Sequence, residues 1–141
     1  MMTDIEARQH ITDTYLETCV TVDDTVIQEE FMRLPSDYFY WSQEYTHTRR
    51  DHRLAKLSCD ETRARLSIEL RLHIENERGK ATESMVSAAI DSSSEWVDSR
   101  TAEIEAESAM VRIQGILEAI RTKREMLISL GAHARAEMKA I

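Results

Sequence analysis

Glycine and proline are almost absent from this chain, and their absence limits the folds that it can adopt. The 141 residues include three Gly and one Pro. Folds made of strands and tight turns need these residue types at their turns, whereas long helices need neither. No Gly or Pro occurs from residue 36 to residue 78. The sequence therefore predicts an all-α protein.

Apolar and small residues recur at helical spacing through two long segments. In the first segment, alternating steps of four and three residues are typical of a helix that packs along a partner helix. This stripe consists of Trp41, Tyr45, Thr48, His52, Ala55, Cys59, Thr62 and Leu66. A neighbouring stripe consists of Leu54, Leu57, Ala64, Ile68 and Leu72. In the second segment, from about residue 94 to residue 130 or beyond, the stripe begins with Val97, Thr101, Ile104, Ser108 and Val111 and continues with Ile113, Ile116, Leu117, Ile120, Leu127 and Leu130.

These two helices must pack on other helices, because a long amphipathic helix is not stable alone in water. The short link between them favours an antiparallel helical hairpin. The pattern leaves open whether the helices pair within one chain or between chains of a homo-oligomer. We expect one domain, with an acidic segment of short helices over residues 1–35 and the hairpin over residues 36–141. The residues expected in the core or at an oligomer interface are Trp41, Tyr45, Leu66, Ile120 and Leu127.

A few residues predict where helices begin and end. Pro35 is expected to end a short second helix, because the residue before a proline is disfavoured in the α conformation. Gly79 is expected just beyond the end of the first long helix, and Thr82 is expected to cap the short helix that follows. Gly115 lies inside the second long helix, where a close helix crossing would explain it.

Charge is distributed unevenly along the chain, although the net charge is −8. Residues 49–80 hold nine Lys and Arg against six Asp and Glu, whereas residues 1–48 hold two against ten. Arginine grips phosphate well, because its planar head donates two hydrogen bonds. The candidate DNA-binding residues are Arg49, Arg50, Arg53, Lys56, Arg63, Arg65, Arg78 and Lys80. The alternative is a solvated helix whose basic residues pair with the acids between them.

Patterns that would indicate catalysis or a metal are missing from the sequence. The five His residues show no H-x-x-x-H spacing, and three scattered Gly residues cannot form a phosphate-binding loop. We therefore expect no enzyme activity, no metal and no cofactor. No segment approaches the roughly 20 apolar residues that cross a bilayer, and the first residues lack the pattern of a secretory signal. A cytoplasmic location without membrane contact is expected.

Aromatic residues cluster at the start of the first long helix. Five of the eight aromatic residues lie between Tyr38 and Tyr45. The cluster is interpreted as the beginning of a buried stripe. The alternatives are an oligomer interface or a platform on which nucleic-acid bases stack.

The order of these features resembles the phage UvsY family of recombination mediators. An acidic N-terminal segment and a proline turn lead into Ser36-Asp37-Tyr38-Phe39-Tyr40-Trp41 and a long basic helix. The sequence Gly79-Lys80-Ala81-Thr82-Glu83 follows, and the segment from Ala119 to Ala132 closes the pattern. Arg63-Ala64-Arg65-Leu66 matches a Lys-Ala-Arg-Leu motif of the family, with Arg in place of Lys.

The resemblance implies a small helical protein that assembles into a ring-like homo-oligomer. Such a protein binds single-stranded DNA, helps a RecA-like recombinase displace single-strand-binding protein, and has no catalytic residues. The motif match implies that Arg63 and Arg65 contact DNA. If the chain is phage-encoded, its location would be the host cytoplasm. The alternative hypothesis is a helical interaction, scaffold or inhibitor protein of a phage that does not bind nucleic acid.

Overall fold

The computed structural model describes the backbone of residues 4–140 and the side chains of residues 12–140. Four helices follow one another in this range: α1 (Asp4–Val20), α2 (Ile27–Arg78), α3 (Glu83–Asp91) and α4 (Ser94–Ala140). No strand occurs among these residues, so the all-α prediction is confirmed. Residues 1–3 and 141, which belong to the predicted segments 1–35 and 36–141, lie outside the described residues.

Helix α2 packs against α4 in antiparallel orientation, as in a helical hairpin. The chain divides into two compact units, of which unit 1 comprises Met1–Glu44 and Arg112–Ile141 and unit 2 comprises Tyr45–Val111. In unit 2, Cys59 contacts Ser99 while Arg65, further along α2, contacts Glu95, which is earlier in α4. The segments 1–35 and 36–141 expected from the sequence stay a prediction. No helix in the described part of the chain is long and apolar enough to span a membrane.

Unit 1 is built around a charged pair that is almost fully buried. The Lys123 ammonium forms an ion pair with Glu30 and also donates a hydrogen bond of 3.2 Å to the Thr18 carbonyl. These contacts join the end of α1, the first turns of α2 and the middle of α4. Ile120 and Leu127 are buried on the same face of α4. Removing one partner of a buried pair leaves an uncompensated charge, so loss of either side chain would destabilise the packing of these three helices.

Pro35 lies inside α2 instead of ending a helix, so the predicted boundary is wrong. The predicted short second helix is the first part of α2. Proline inside a helix costs about 3 kcal/mol, because it removes one backbone hydrogen bond and clashes with the preceding turn. The side chains on both sides of it, Glu30, Leu34 and Asp37, are buried. Their packing in unit 1 offsets the local cost and holds the helix through the proline.

The end of α2 follows the sequence prediction. Gly79 has a backbone φ of +76°, in the left-handed region that glycine adopts most easily, and α2 ends at Arg78. Thr82 caps α3, because its hydroxyl accepts a hydrogen bond of 3.3 Å from the Met85 amide. Both predicted end residues are therefore confirmed.

The expectation of a close helix crossing at Gly115 is wrong. Among the described residues, a Cβ atom built at this position would meet no atom within 4 Å, so no described part of a neighbouring helix approaches the glycine. Replacing Gly115 by Ala should therefore raise the free energy of unfolding by up to about 1 kcal/mol, because Ala restricts the unfolded chain and favours helix. Thermal or urea unfolding followed by circular dichroism measures this change.

Gly79→Ala is the matched control for that substitution. Its space is also open, but its positive φ is unfavourable for any residue with a Cβ, so this variant should lose stability. A Gly115→Ala protein that unfolds more readily than the wild type would show that the position is more crowded than described.

Candidate nucleic-acid interface

The inward face of α2 in unit 2 is fixed by a small apolar core. Leu66 is buried together with Val86 and Ile90 of α3, and Trp96 of α4 packs against them. Cys59 is buried on the same side of α2, and its thiol donates a hydrogen bond of 3.1 Å to the Ser99 carbonyl. Because these residues mark the buried face, the position of every other side chain around this part of α2 can be given relative to them.

Most of the basic residues of α2 lie on one side of that inward face. Successive residues turn by about 100° around a helix axis, so the position of each side chain relative to Leu66 follows from its number. The basic residues that fall between about 60° and 140° on one side form what we call the basic flank. Its members are Arg49, Arg53, Lys56, Arg63, Arg71 and Arg78. Arg50 and Arg65 lie elsewhere on the helix, and Lys80 follows Gly79 beyond its end.

Helix α3 lies along part of the basic flank and neutralises it there. Arg63 approaches Asp91 at 3.5 Å and the Ser87 hydroxyl at 3.4 Å, and Arg71 forms an ion pair with Glu83. Asp91, Ser87 and Glu83 all belong to α3. The Arg63 guanidinium also lies 5.1 Å from the centre of the Trp96 ring, within the range of a cation–π contact. These two arginines therefore attach α3 to α2.

Arg65 is held in a similar way on the opposite side of α2. It forms an ion pair with Glu95 in the first turn of α4 and a second contact of 3.3 Å with Glu69. Arg63 and Arg65 are the two residues that match the family motif, and the structure places both in contacts that join helices of unit 2. Their partners on α3 and α4 lie about 30 residues away in sequence, so no local spacing could have identified them.

The remaining candidate cations are exposed and show no ion pair among the described residues. They are Arg49, Arg50, Arg53, Lys56, Arg78 and Lys80. Arg49, Arg53 and Lys56 lie on the part of the basic flank that α3 does not reach, within about two turns of helix. The structure therefore separates the predicted DNA-binding residues into a paired group and an unpaired group, and only the second presents free charge to a polyanion.

One residue of the aromatic cluster, Trp41, belongs to the core of unit 1. Trp41 is only 3% exposed, and the Tyr15 ring stacks on it with centroids 6.1 Å apart. The Tyr15 hydroxyl donates a hydrogen bond of 2.8 Å to buried Asp37. Burial and this neighbouring carboxylate raise the pKa of Tyr15, which therefore stays neutral. A base cannot stack on the Trp41 ring without displacing Tyr15, which argues against a stacking platform at Trp41.

Other side chains of the cluster are placed differently. Phe39 is exposed, and the Tyr38 hydroxyl accepts a hydrogen bond of 3.0 Å from Arg121 of α4. Tyr45 begins unit 2 and is half-buried. The cluster thus contributes to the core at Trp41 and to the surface at Phe39.

The two cysteines have the properties of core residues. Cys19 and Cys59 are both buried and free, and burial is the main factor that raises the pKa of each thiol. A raised pKa keeps the reactive thiolate scarce at neutral pH. Among the described residues, no three His, Cys, Asp or Glu side chains gather where they could hold one metal ion.

Comparison of the chain with protein-family models, curated proteins and solved structures finds no match.

Replacing Arg63 by Ala should destabilise the protein, whereas replacing Arg53 should not. Arg63→Ala removes a partly exposed ion pair and a cation–π contact, together on the order of 1 kcal/mol. Arg53 shows no ion pair and is exposed, so Arg53→Ala should stay within about 0.5 kcal/mol of the wild type. Urea unfolding of the two variants measures the difference, and equal losses would contradict the division into paired and unpaired cations.

Proposed function

We propose that this protein binds single-stranded DNA and acts as a recombination mediator of the UvsY type. The observation that supports the proposal is the group formed by Arg49, Arg53 and Lys56. These three exposed cations share one side of α2, and no carboxylate pairs with them among the described residues. In a chain of net charge −8, this group is a local concentration of positive charge that can bind a negatively charged partner.

The geometry of the group suits a flexible phosphate backbone. Residues three or four positions apart on a helix are neighbours about 5–6 Å apart, so the three cations form a short row along α2. Arginine and lysine bind phosphate regardless of sequence, which is what a protein that coats single strands requires. Arg78 and Lys80 add two exposed charges near the end of α2.

One row of three charges gives weak binding, so the proposal includes self-association. In a homo-oligomer the row would repeat, and a single strand that contacts several copies would be bound far more tightly than by one. A RecA-like recombinase and single-strand-binding protein are the partners that a mediator requires. The segment of residues 1–48, with ten Asp and Glu against two Lys and Arg, would then suit contacts with proteins, because its negative charge repels nucleic acid.

The second candidate is a helical interaction or scaffold protein without nucleic-acid binding. Exposed apolar side chains on unit 2 favour it, because single scattered apolar residues are common on surfaces but continuous stripes are not. The contacts of Arg63, Arg65 and Arg71 with carboxylates also favour it, since they show how this chain uses arginine within its own structure.

The triple substitution Arg49→Ala, Arg53→Ala and Lys56→Ala tests the proposed function. We expect it to weaken binding of a labelled single-stranded oligonucleotide and to reduce the slope of log K against log salt concentration by about 2. That slope change follows from about 0.7 released counterions per phosphate contact on single strands. Fluorescence anisotropy at several salt concentrations measures both quantities.

A matched control removes three other exposed cations that show no ion pair among the described residues. Arg124, Arg135 and Lys139 of α4 meet this condition, and their replacement by Ala changes the net charge by the same amount. The control should bind nearly as the wild type does. Equal weakening in both triple variants would indicate a non-specific charge effect, and a wild type without salt-sensitive binding would favour the interaction protein.

A further inference from the structure

The face of α2 that points away from α3 and α4 carries an uncovered apolar stripe. Its large side chains remain about half exposed or more, with 52% for Leu54, 54% for Leu57, 65% for Ile68 and 56% for Leu72. Eight exposed residues follow one another on this face and form what we call the outer stripe: Arg50, Leu54, Leu57, Glu61, Ala64, Ile68, Leu72 and Glu75. All of them belong to unit 2.

The outer stripe has the spacing of a helix-packing surface. Its members are separated by steps of four or three residues, which keeps them along one side of a helix. Counted from Leu66 in the same sense as the basic flank, they lie about 160° to 240° around the axis, and the described helices of the same chain leave them exposed. An isolated Leu on a surface needs no explanation, but a stripe of this length indicates a partner helix.

The outer stripe is complementary to itself when it is read in the opposite direction. If two copies of α2 lie antiparallel with a two-fold axis between residues 62 and 63, Leu57 faces Ile68. Leu54 then lies about 1.5 Å, one residue along the helix axis, from the level of Leu72 of the second copy. Glu61 then faces the small side chain of Ala64, which leaves the carboxylate free to reach solvent. Each of these contacts occurs twice, as in any symmetric pair in which both chains use the same surface.

The charges at the two ends of the outer stripe select this orientation. The antiparallel arrangement places Arg50 opposite Glu75 of the second copy at both ends. A parallel arrangement in register would instead place Arg50 against Arg50 and Glu75 against Glu75, which are repulsive pairs. The charge pattern therefore fits a second copy of this chain in one direction only.

A comparable stripe on α4 is a weaker candidate. Val97, Ile104 and Val111 are also about half exposed, but Thr101 and Ser108 separate them. Smaller and more polar side chains bury less apolar area, so α4 offers less free energy to a partner. It provides a matched control surface of similar exposure.

We propose that two copies of this chain associate through the outer stripe of α2, in antiparallel orientation about a two-fold axis. This inference deepens the self-association that the proposed function includes, because it names the contacting surface, but it does not require DNA binding. In this dimer Arg50 forms an ion pair with Glu75 of the second copy. The triple substitution that tests DNA binding therefore leaves Arg50 unchanged.

The first test is the mass of the full chain in solution, measured by sedimentation equilibrium near 100 µM, a concentration at which micromolar affinities are saturated. The wild type should associate, and the double variant Leu57→Glu, Ile68→Glu should have at most half of its mass while keeping its helical circular dichroism. The control variant Val97→Glu, Ile104→Glu carries the same change on the α4 stripe and should associate as the wild type does.

The second test examines the orientation. Arg50→Glu should weaken association at least about tenfold, because it creates two repulsive contacts per pair. The exchange Arg50→Glu with Glu75→Arg should restore association, since the two end contacts are re-formed with their charges swapped. A monomeric wild type, a mass that the Leu57→Glu, Ile68→Glu variant leaves unchanged, or an exchange that fails to restore association would overturn the proposal.

Discussion

The packing of α2 against α4 is the contact on which the other features of this protein depend. Fully burying one Leu or Ile side chain contributes about 1.5–3 kcal/mol, and long helices with a single apolar side have no other source of comparable stability. In unit 1 the contact also encloses Lys123 and Glu30, and in unit 2 it fixes which side of α2 faces solvent. The positions of the free cations and of the outer stripe both follow from which side of α2 is buried.

Much of the helical architecture could be predicted from the sequence, because it depends on local preferences. The run without Gly or Pro, the left-handed Gly79 and the Thr82 cap each act over a few residues, and the structure places helices and ends accordingly. The predictions at Pro35 and Gly115 are wrong for a shared reason. Their consequences depend on tertiary packing, which holds the helix together around Pro35 and leaves the space beside Gly115 empty.

The candidate site was predictable only in part. Sequence counting identified the basic residues of α2, but it could not separate Arg53 from Arg63, since both belong to the same charged helix. The separation arises because α3 folds back beside Arg63 and Arg71 and supplies Asp91 and Glu83. On the basic flank, free positive charge therefore remains on the part of α2 that α3 does not reach. The net charge of −8 alone gives no indication of this local positive charge.

The most direct test of the α2–α4 contact is a disulfide between Cys59 and a cysteine placed at residue 99. The Ser99 hydroxyl lies 3.4 Å from the Cys59 sulfur, so Ser99→Cys brings two thiols to a distance that small adjustments close to a disulfide. Under mild oxidation we expect a bond within one chain, seen by mass spectrometry of peptides that contain both residues, while Cys19 stays free as an internal reference. A bond formed between two chains, or no bond at all, would contradict the pairing of α2 with α4 described for this chain.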